Sequence, residues 1–110
     1  MKKMYRIKKT NEIDALFKTK IRVSSKYFNI FYKPSKQNNF RFAISIGKKY
    51  GNSVQRNLMK RRLREIIKSN QESIGIIDFV ITVKPNSIDL DFTQIKADIE
   101  KLLKKSKIIN

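Results

Sequence analysis

The sequence contains no histidine, no cysteine and no tryptophan, and it carries only nine acidic side chains in 110 residues. Without histidine and cysteine the chain has no imidazole base, no thiolate nucleophile, no disulfide and no ordinary zinc site. Catalysis by side chains would have to come from carboxylates, lysine or tyrosine. The composition thus removes most small-enzyme chemistries, and we expect no catalytic side chain and no metal-binding residue.

Glycine and proline are scarce as well, with three and two residues. No uncharged apolar run approaches the roughly 18 residues of a membrane span. The basic start, MKKMYRIKK, lacks the apolar segment of a signal peptide. With 40% hydrophobic residues the chain has enough material for a core. We expect one globular domain over residues 1–110, placed in the cytoplasm.

Positive charge is what the sequence has in excess. Twenty-six basic residues against nine acidic ones give a formal net charge of +17. Such a field attracts polyanions, so nucleic acid is the expected partner and an anionic membrane surface the weaker alternative. The lysines are scattered, whereas four of the seven arginines lie within nine residues, at Arg56, Arg61, Arg62 and Arg64. Arginine presents a planar fork to phosphates, so this cluster is the more informative part of the charge.

Hydrophobic periodicity predicts an α+β domain with the order α-β-β-β-α-β-α. The spacing of Ile13, Leu16 and Phe17 predicts a short helix over residues 11–18, with Thr10 as its N-cap. A third helix follows the apolar stripe from Phe92 to Leu103. Asp89 and Asp91 then fit a helix start better than a metal pair. Strands are predicted at residues 21–23, 27–32, 40–46 and 76–83, the last of them an interior strand because it is almost continuously apolar.

The middle helix is predicted from Asn52 or Ser53 to about Ser69, and its two faces differ. The apolar face consists of Leu58, Met59, Leu63, Ile66 and Ile67, with Leu58 at its edge and expected to pack. The opposite face consists of Arg56, Asn57, Lys60, Arg61, Arg64 and Lys68, and no carboxylate occurs before Glu65. Like charges one turn apart repel. A bound polyanion would relieve that repulsion, and the free N–H groups after Lys48 and Lys49 would add an anion site.

Residues 48–65, KKYGNSVQRNLMKRRLRE, closely resemble the signature of the bacterial ribonuclease P protein component. The resemblance extends to RIKK at residues 6–9, to AISI at 43–46 and to DFVI at 78–81, in the family's order and over nearly the whole chain. Two positions depart from the pattern. Leu58 stands where the family usually has a basic residue, and Ile13 stands where an aromatic residue is common.

The resemblance implies a single-domain α/β sandwich in which a small four-stranded sheet is flanked by three helices. It also implies a left-handed crossover from the strand at residues 40–46 through the basic helix to the strand at 76–83. Most such connections are right-handed, so the sequence pattern alone would not suggest this hand. In function, the resemblance implies a protein subunit of ribonuclease P, an endoribonuclease whose RNA performs catalysis. Mg²⁺ would be bound mainly by that RNA, and the reaction would remove the 5′ leader of precursor tRNA.

The resemblance further implies two binding surfaces and two partners, the ribonuclease P RNA and precursor tRNA, with no membrane and no further protein partner. The catalytic RNA would be bound by Lys48, Lys49, Asn52, Arg56, Asn57, Lys60, Arg61, Arg62, Arg64 and Lys68. The single-stranded leader would lie in a cleft between the first helix and the sheet, contacted by Phe17, Asn29, Phe31, Asn57 and Lys60. Core packing is the alternative role for Phe17 and Phe31, as it is the expected role of Phe28, Phe40, Phe42, Phe79 and Phe92. Tyr50 could stack on a base or anchor its loop.

Two other functions compete with this one. A small ribosomal or other structural RNA-binding protein would also be basic and free of histidine, but it would have no role in cleavage. A DNA-binding regulator would usually contain a helix-turn-helix, whereas strands separate the predicted helices here.

Overall fold

The computed structural model describes residues 2–109, and its centre is one mixed sheet of four strands in the order β1-β2-β4-β3. Neighbouring strands are antiparallel except β3 and β4, which are parallel. The strands are β1 (Arg22–Ser24), β2 (Phe28–Pro34), β3 (Arg41–Ile46) and β4 (Ile77–Val83). The helices are α1 (Thr10–Lys18), α2 (Ser53–Ser69) and α3 (Phe92–Lys105). This confirms the predicted order of elements, with strand bounds shifted by one or two residues.

Strand β4 lies between β2 and β3, and Phe79, Val80 and Ile81 in it are fully buried. Because successive side chains point to opposite faces, both faces of β4 are covered. The prediction of an interior strand is thus confirmed. Parallel neighbours cannot be joined by a tight turn, and the connection from β3 to β4 runs through α2. The left hand of that connection stays a prediction of the resemblance.

The larger core lies between the sheet and helices α2 and α3. Its aromatic members Phe40, Phe42 and Phe79 stack, with ring centroids 5.8 to 6.3 Å apart, and Phe28 is fully buried beside them. The packing role predicted for these four side chains is confirmed. Phe92 is different because its side chain is 37% exposed, so the packing role predicted for it is wrong. It is the first residue of α3, at the N-terminal end of that helix.

A smaller core lies on the other face of the sheet, under α1. Leu16, Ile7 and Val80 form it, and partly buried Ile13 and Phe31 pack against it. Helix α1 therefore covers part of the face that α2 and α3 leave free. The prediction of Thr10 as N-cap is wrong. The Ile13 amide donates to the Lys9 carbonyl over 3.2 Å, so Lys9 accepts the first helical bond and takes the cap position without a side-chain hydrogen bond.

Helices α2 and α3 begin with capping boxes. The side-chain oxygen of Asn52 accepts from the backbone amide of Gln55 over 2.9 Å, and the side-chain oxygen of Gln55 accepts from the backbone amide of Asn52 over 2.9 Å. Asp91 and Gln94 make the same pair of bonds at α3, which confirms Asp91 as a helix-start residue. Gly51 leaves room for the Gln55 side chain to reach the Asn52 amide, because a Cβ at Gly51 would lie 2.3 Å from the side-chain oxygen of Gln55. Within residues 2–109, no helix is long and apolar enough to cross a bilayer.

Candidate nucleic-acid interface

The apolar face of α2 is buried as predicted except at one position. Met59, Leu63, Ile66 and Ile67 are at most 1% exposed, whereas Leu58 is 39% exposed. The prediction that Leu58 packs is therefore wrong. It lies at the edge of the apolar arc and faces a surface cavity lined also by Ile88 and Leu90.

The basic face of α2 divides into two rows that differ in burial. An outer row of Asn57, Arg61 and Lys68 is exposed, and an inner row of Arg56, Lys60 and Arg64 is half-buried. The two ion pairs found within residues 2–109 both involve Arg41, so no carboxylate neutralises either row. Helix α2 thus presents uncompensated charge in two directions.

Two residues of the inner row, Lys60 and Arg64, face a cavity of about 220 Å³ beside β3, whereas the Arg56 guanidinium donates to the Gly51 carbonyl over 3.0 Å. Lys60 and Arg64 line it from α2, Arg6 and Lys8 line it from the N-terminal segment, and Ile13 closes it from α1. No acidic side chain lines it. Burial, and then the charge of Arg6, hold the pKa of Arg64 below its ordinary value. A group of cations that repel each other around one cavity can bind an anion such as a phosphate.

Arg6 and Lys8 were not among the residues predicted for either surface. They reach the cavity because the N-terminal segment returns to the free edge of β3, where the Ile7 amide donates to the Phe42 carbonyl over 3.0 Å. That pairing is non-local, so no periodicity in the sequence indicates it. The basic RIKK segment at residues 6–9 is the only local signal.

The segment that enters α2 carries further charge. Lys48 and Lys49 are exposed in a short 3₁₀ helix that ends at Tyr50. The Tyr50 ring is only 6% exposed, which favours the anchoring role over stacking, and burial raises the pKa of its hydroxyl. The exposed side chain of Asn52 uses its carbonyl oxygen in the capping box. Arg62 differs from the other predicted residues, because it lines the cavity beside Leu58 and Asp89 instead of either row.

An aromatic pair marks the sheet face under α1. The rings of Phe17 and Phe31 meet edge to face, with centroids 5.4 Å apart, and the Arg22 guanidinium lies 5.8 Å from the Phe31 centroid. Phe17 is 37% exposed. A cavity of about 310 Å³ opens beside the pair, between Phe17, Phe31 and the basic side chains of Lys18, Lys20 and Arg22. Aromatic rings flanked by cations match what single-stranded RNA requires.

Only part of the predicted leader set comes together. Asn29 lies on the same sheet face as Phe31, two residues along β2 and opposite Thr82 of β4. Lys60 reaches Ile13 across the inner cavity, so it adjoins α1. Asn57 is exposed on the outer row of α2 instead. The sequence missed Arg22, although its place directly opposite Phe31 follows from the pairing of β1 with β2.

Four of the nine acidic side chains bind side chains from other parts of the fold. Asp78 and Glu12 bind Arg41, Asp98 accepts from the Ser25 hydroxyl over 2.5 Å, and Glu100 accepts from the Asn70 amide over 2.8 Å. In the chain from residue 2 to 109, no three acidic side chains come close enough to form a metal site.

A mixed four-stranded sheet, an uncompensated basic helix and an aromatic pair flanked by cations define an RNA-binding protein of the α/β sandwich type. A family model described as ribonuclease P matches residues 1–107. The chain therefore belongs to the ribonuclease P protein family, the protein subunits of the endoribonuclease that removes the 5′ leader of precursor tRNA.

Related sequences and solved structures support the same family assignment. The ribonuclease P protein component of Acholeplasma laidlawii is 47% identical over 110 residues, covering 99% of this chain and 95% of that protein. That of Phytoplasma australiense is 40% identical over 111 residues, covering 99% and 96%. The RNase P protein of Staphylococcus aureus is 33% identical and superimposes with a TM-score of 0.91, covering 96% of this chain and 98% of that one. These matches confirm the predicted fold class and family.

Proposed function

We propose that this chain binds the ribonuclease P RNA through the outer row of α2, and the single-stranded leader of precursor tRNA through the inner row of α2 and the aromatic pair beside α1. The observation that carries the proposal is the division of the basic face of α2 into an exposed outer row and a half-buried inner row. The two rows point to different surroundings, and neither has a carboxylate partner. One helix can therefore contact two RNA segments at once.

The outer row, with Lys48 and Lys49 before it, suits the catalytic RNA. Arg61 and Lys68 project into solvent from a helix whose other side is anchored in the core. Contacts of this kind neutralise phosphates and release counterions, so they supply affinity that depends on salt. They carry no sequence information of their own.

The inner row and the aromatic pair would bind the leader. A leader that passes over α1 would meet Phe17 and Phe31 on one side and the cavity with Lys60 and Arg64 on the other. Stacking on an aromatic ring contributes about 1–3 kcal/mol per base and accepts every base, because every base has a π-face. This fits a leader that differs from one tRNA to the next.

Catalysis would belong to the RNA partner. The chain has no histidine or cysteine, and the described acidic residues form no group that fits a metal. Mg²⁺ would be held mainly by RNA phosphates. The protein would bind and orient the leader and the catalytic RNA, in the cytoplasm and without a further protein partner.

Reconstitution with the cognate ribonuclease P RNA at low Mg²⁺ tests the proposal. Cleavage of a 5′-extended tRNA should be faster with the protein than with the RNA alone, and the gain should vanish for a substrate whose leader is a single nucleotide. A ribosomal or other structural RNA-binding protein would bind RNA without changing cleavage. Equal rates with and without the protein would therefore support that rival and refute the proposal.

A further inference from the structure

Helix α1 forms one wall of the proposed leader cleft, and it is weakly anchored. It has nine residues, and only one of them, Leu16, is buried. Its N-cap, Lys9, makes no side-chain hydrogen bond. Isolated helices shorter than about 12 residues are marginal in water. The position of α1 therefore depends on its contacts with the sheet.

One of these contacts is a polar network at the first turn of α1. The Arg41 guanidinium of β3 grips Asp78 of β4 with two bonds, Nε to Oδ1 at 3.2 Å and Nη2 to Oδ2 at 2.8 Å. The same Nη2 also donates to Glu12 Oε2 over 2.7 Å. The three side chains are 15%, 4% and 33% exposed in the order Arg41, Asp78 and Glu12. The hydrogen bonds that Arg41 donates to the two carboxylates, the one to Asp78 first, raise the pKa of Arg41, so it stays charged.

The network connects α1 to the floor of the cleft. Arg41 and Asp78 are register partners, and the next pair on the same face is Ala43 with Val80. Val80 in turn packs against Leu16, and it lies opposite Phe31 of β2. Glu12 is thus bound to Arg41 of β3, which is paired with Asp78 of β4. The next residue of β4 on the same face, Val80, packs against Leu16 of α1.

We propose that Glu12 is a positioning residue for leader binding. Through Arg41 it fixes the start of α1 on the sheet, and so it sets the distance between the Phe17 and Phe31 rings and the width of the cleft beside them. This inference rests on the proposed function. The two bonds between Arg41 and Asp78 do not involve Glu12, so we expect them to persist when Glu12 is replaced.

Glu12→Ala in the reconstituted holoenzyme tests the inference, and Asp14→Ala is the matched control. Asp14 is exposed on the same helix and has the same charge, and it takes part in neither ion pair found in residues 2–109. Two substrates are compared, one with a leader of several nucleotides and one with a single-nucleotide leader. For Glu12→Ala, KM for the long-leader substrate should rise roughly fivefold, the upper range for a partly exposed ion pair, while kcat is unchanged. KM for the short-leader substrate and the affinity for the catalytic RNA should equal those of the wild type.

Each outcome is informative. Faster hydrogen exchange in α1 together with the leader-dependent rise in KM would support the positioning role. If Glu12→Ala and Asp14→Ala behave alike, or if both substrates lose equally, Glu12 acts only through charge or general stability and the inference is overturned. If the wild-type holoenzyme itself makes no distinction between the two substrates, the proposed leader site fails instead.

Discussion

Removal of a single arginine from the outer row of α2 should change the salt dependence of RNA binding by a known amount. Arg61 is exposed and belongs to neither ion pair within residues 2–109. Alanine is the better helix former at such a position, so Arg61→Ala should leave the free energy of unfolding within about 0.5 kcal/mol of the wild type. One lost phosphate contact should reduce the slope of log affinity against log salt by about 0.7–0.9.

The assay is a titration of the catalytic RNA with protein at several monovalent salt concentrations and constant Mg²⁺. Between roughly 50 and 200 mM salt, a slope difference of about 0.8 changes the ratio of wild-type to variant affinity about threefold. Lys101→Ala is the control, because it also lowers the net charge by one unit. Lys101 lies on α3 beside Tyr27 and Asp98, outside both rows.

Comparing Arg61→Ala with Lys101→Ala distinguishes a direct phosphate contact of Arg61 from an effect of the net charge of the whole protein. We expect Lys101→Ala to keep the wild-type slope within error. Equal slopes for Arg61→Ala and the wild type would show that Arg61 meets no phosphate. Equal losses in both variants would show that the net charge of +17 acts as a whole and that α2 has no special part.

Three further changes test other features. Phe31→Ala should lower the preference of the holoenzyme for precursor over mature tRNA by about fivefold or more, the loss of one stacked base, while affinity for the catalytic RNA is unchanged; equal losses for both tRNAs would contradict the cleft. Asn52→Ala removes half of the capping box with Gln55 and should lower the free energy of unfolding by about 1 kcal/mol in urea titrations; a stability equal to that of the wild type would refute this. Burial raises the pKa of Tyr50 above the ordinary value of about 10, so its contribution to stability is complete below that pH and is lost as the pH rises through the folded pKa. Tyr50→Phe should therefore lose less stability than the wild type above about pH 10 in urea titrations, and parallel pH profiles would argue against this assignment.

The features that the sequence predicted correctly depend on local periodicity. Helix α2, its cap at Asn52 and the buried side of the helix follow from a period of 3.6 residues, and the interior position of β4 follows from its apolar run. The basic face of α2 could be predicted from the same helical period. Its division into rows of unequal burial could not, because it depends on what packs beside the helix.

The failures have non-local causes. Arg6 joins the inner cavity only because its segment pairs with β3, and Arg41 meets Glu12 only after α1 docks. Leu58 and Phe92 were expected to pack from their place on an apolar stripe, but Leu58 lies at the edge of its stripe and Phe92 is the first residue of its helix. A hydrophobic stripe predicts a face and gives no information about how far along the helix the neighbouring elements reach.

The two rows of α2 also have a mechanical consequence. Four buried side chains hold the helix rigidly on the sheet, and the diameter of a helix with its side chains is about 10–12 Å. Because the two rows lie about 100° apart around the helix axis, a leader on the inner row and a catalytic RNA on the outer row would be held at a fixed separation somewhat smaller than that diameter, whatever the leader sequence. Helix α2 would then act as a spacer that gives every precursor the same offset from the site of cleavage.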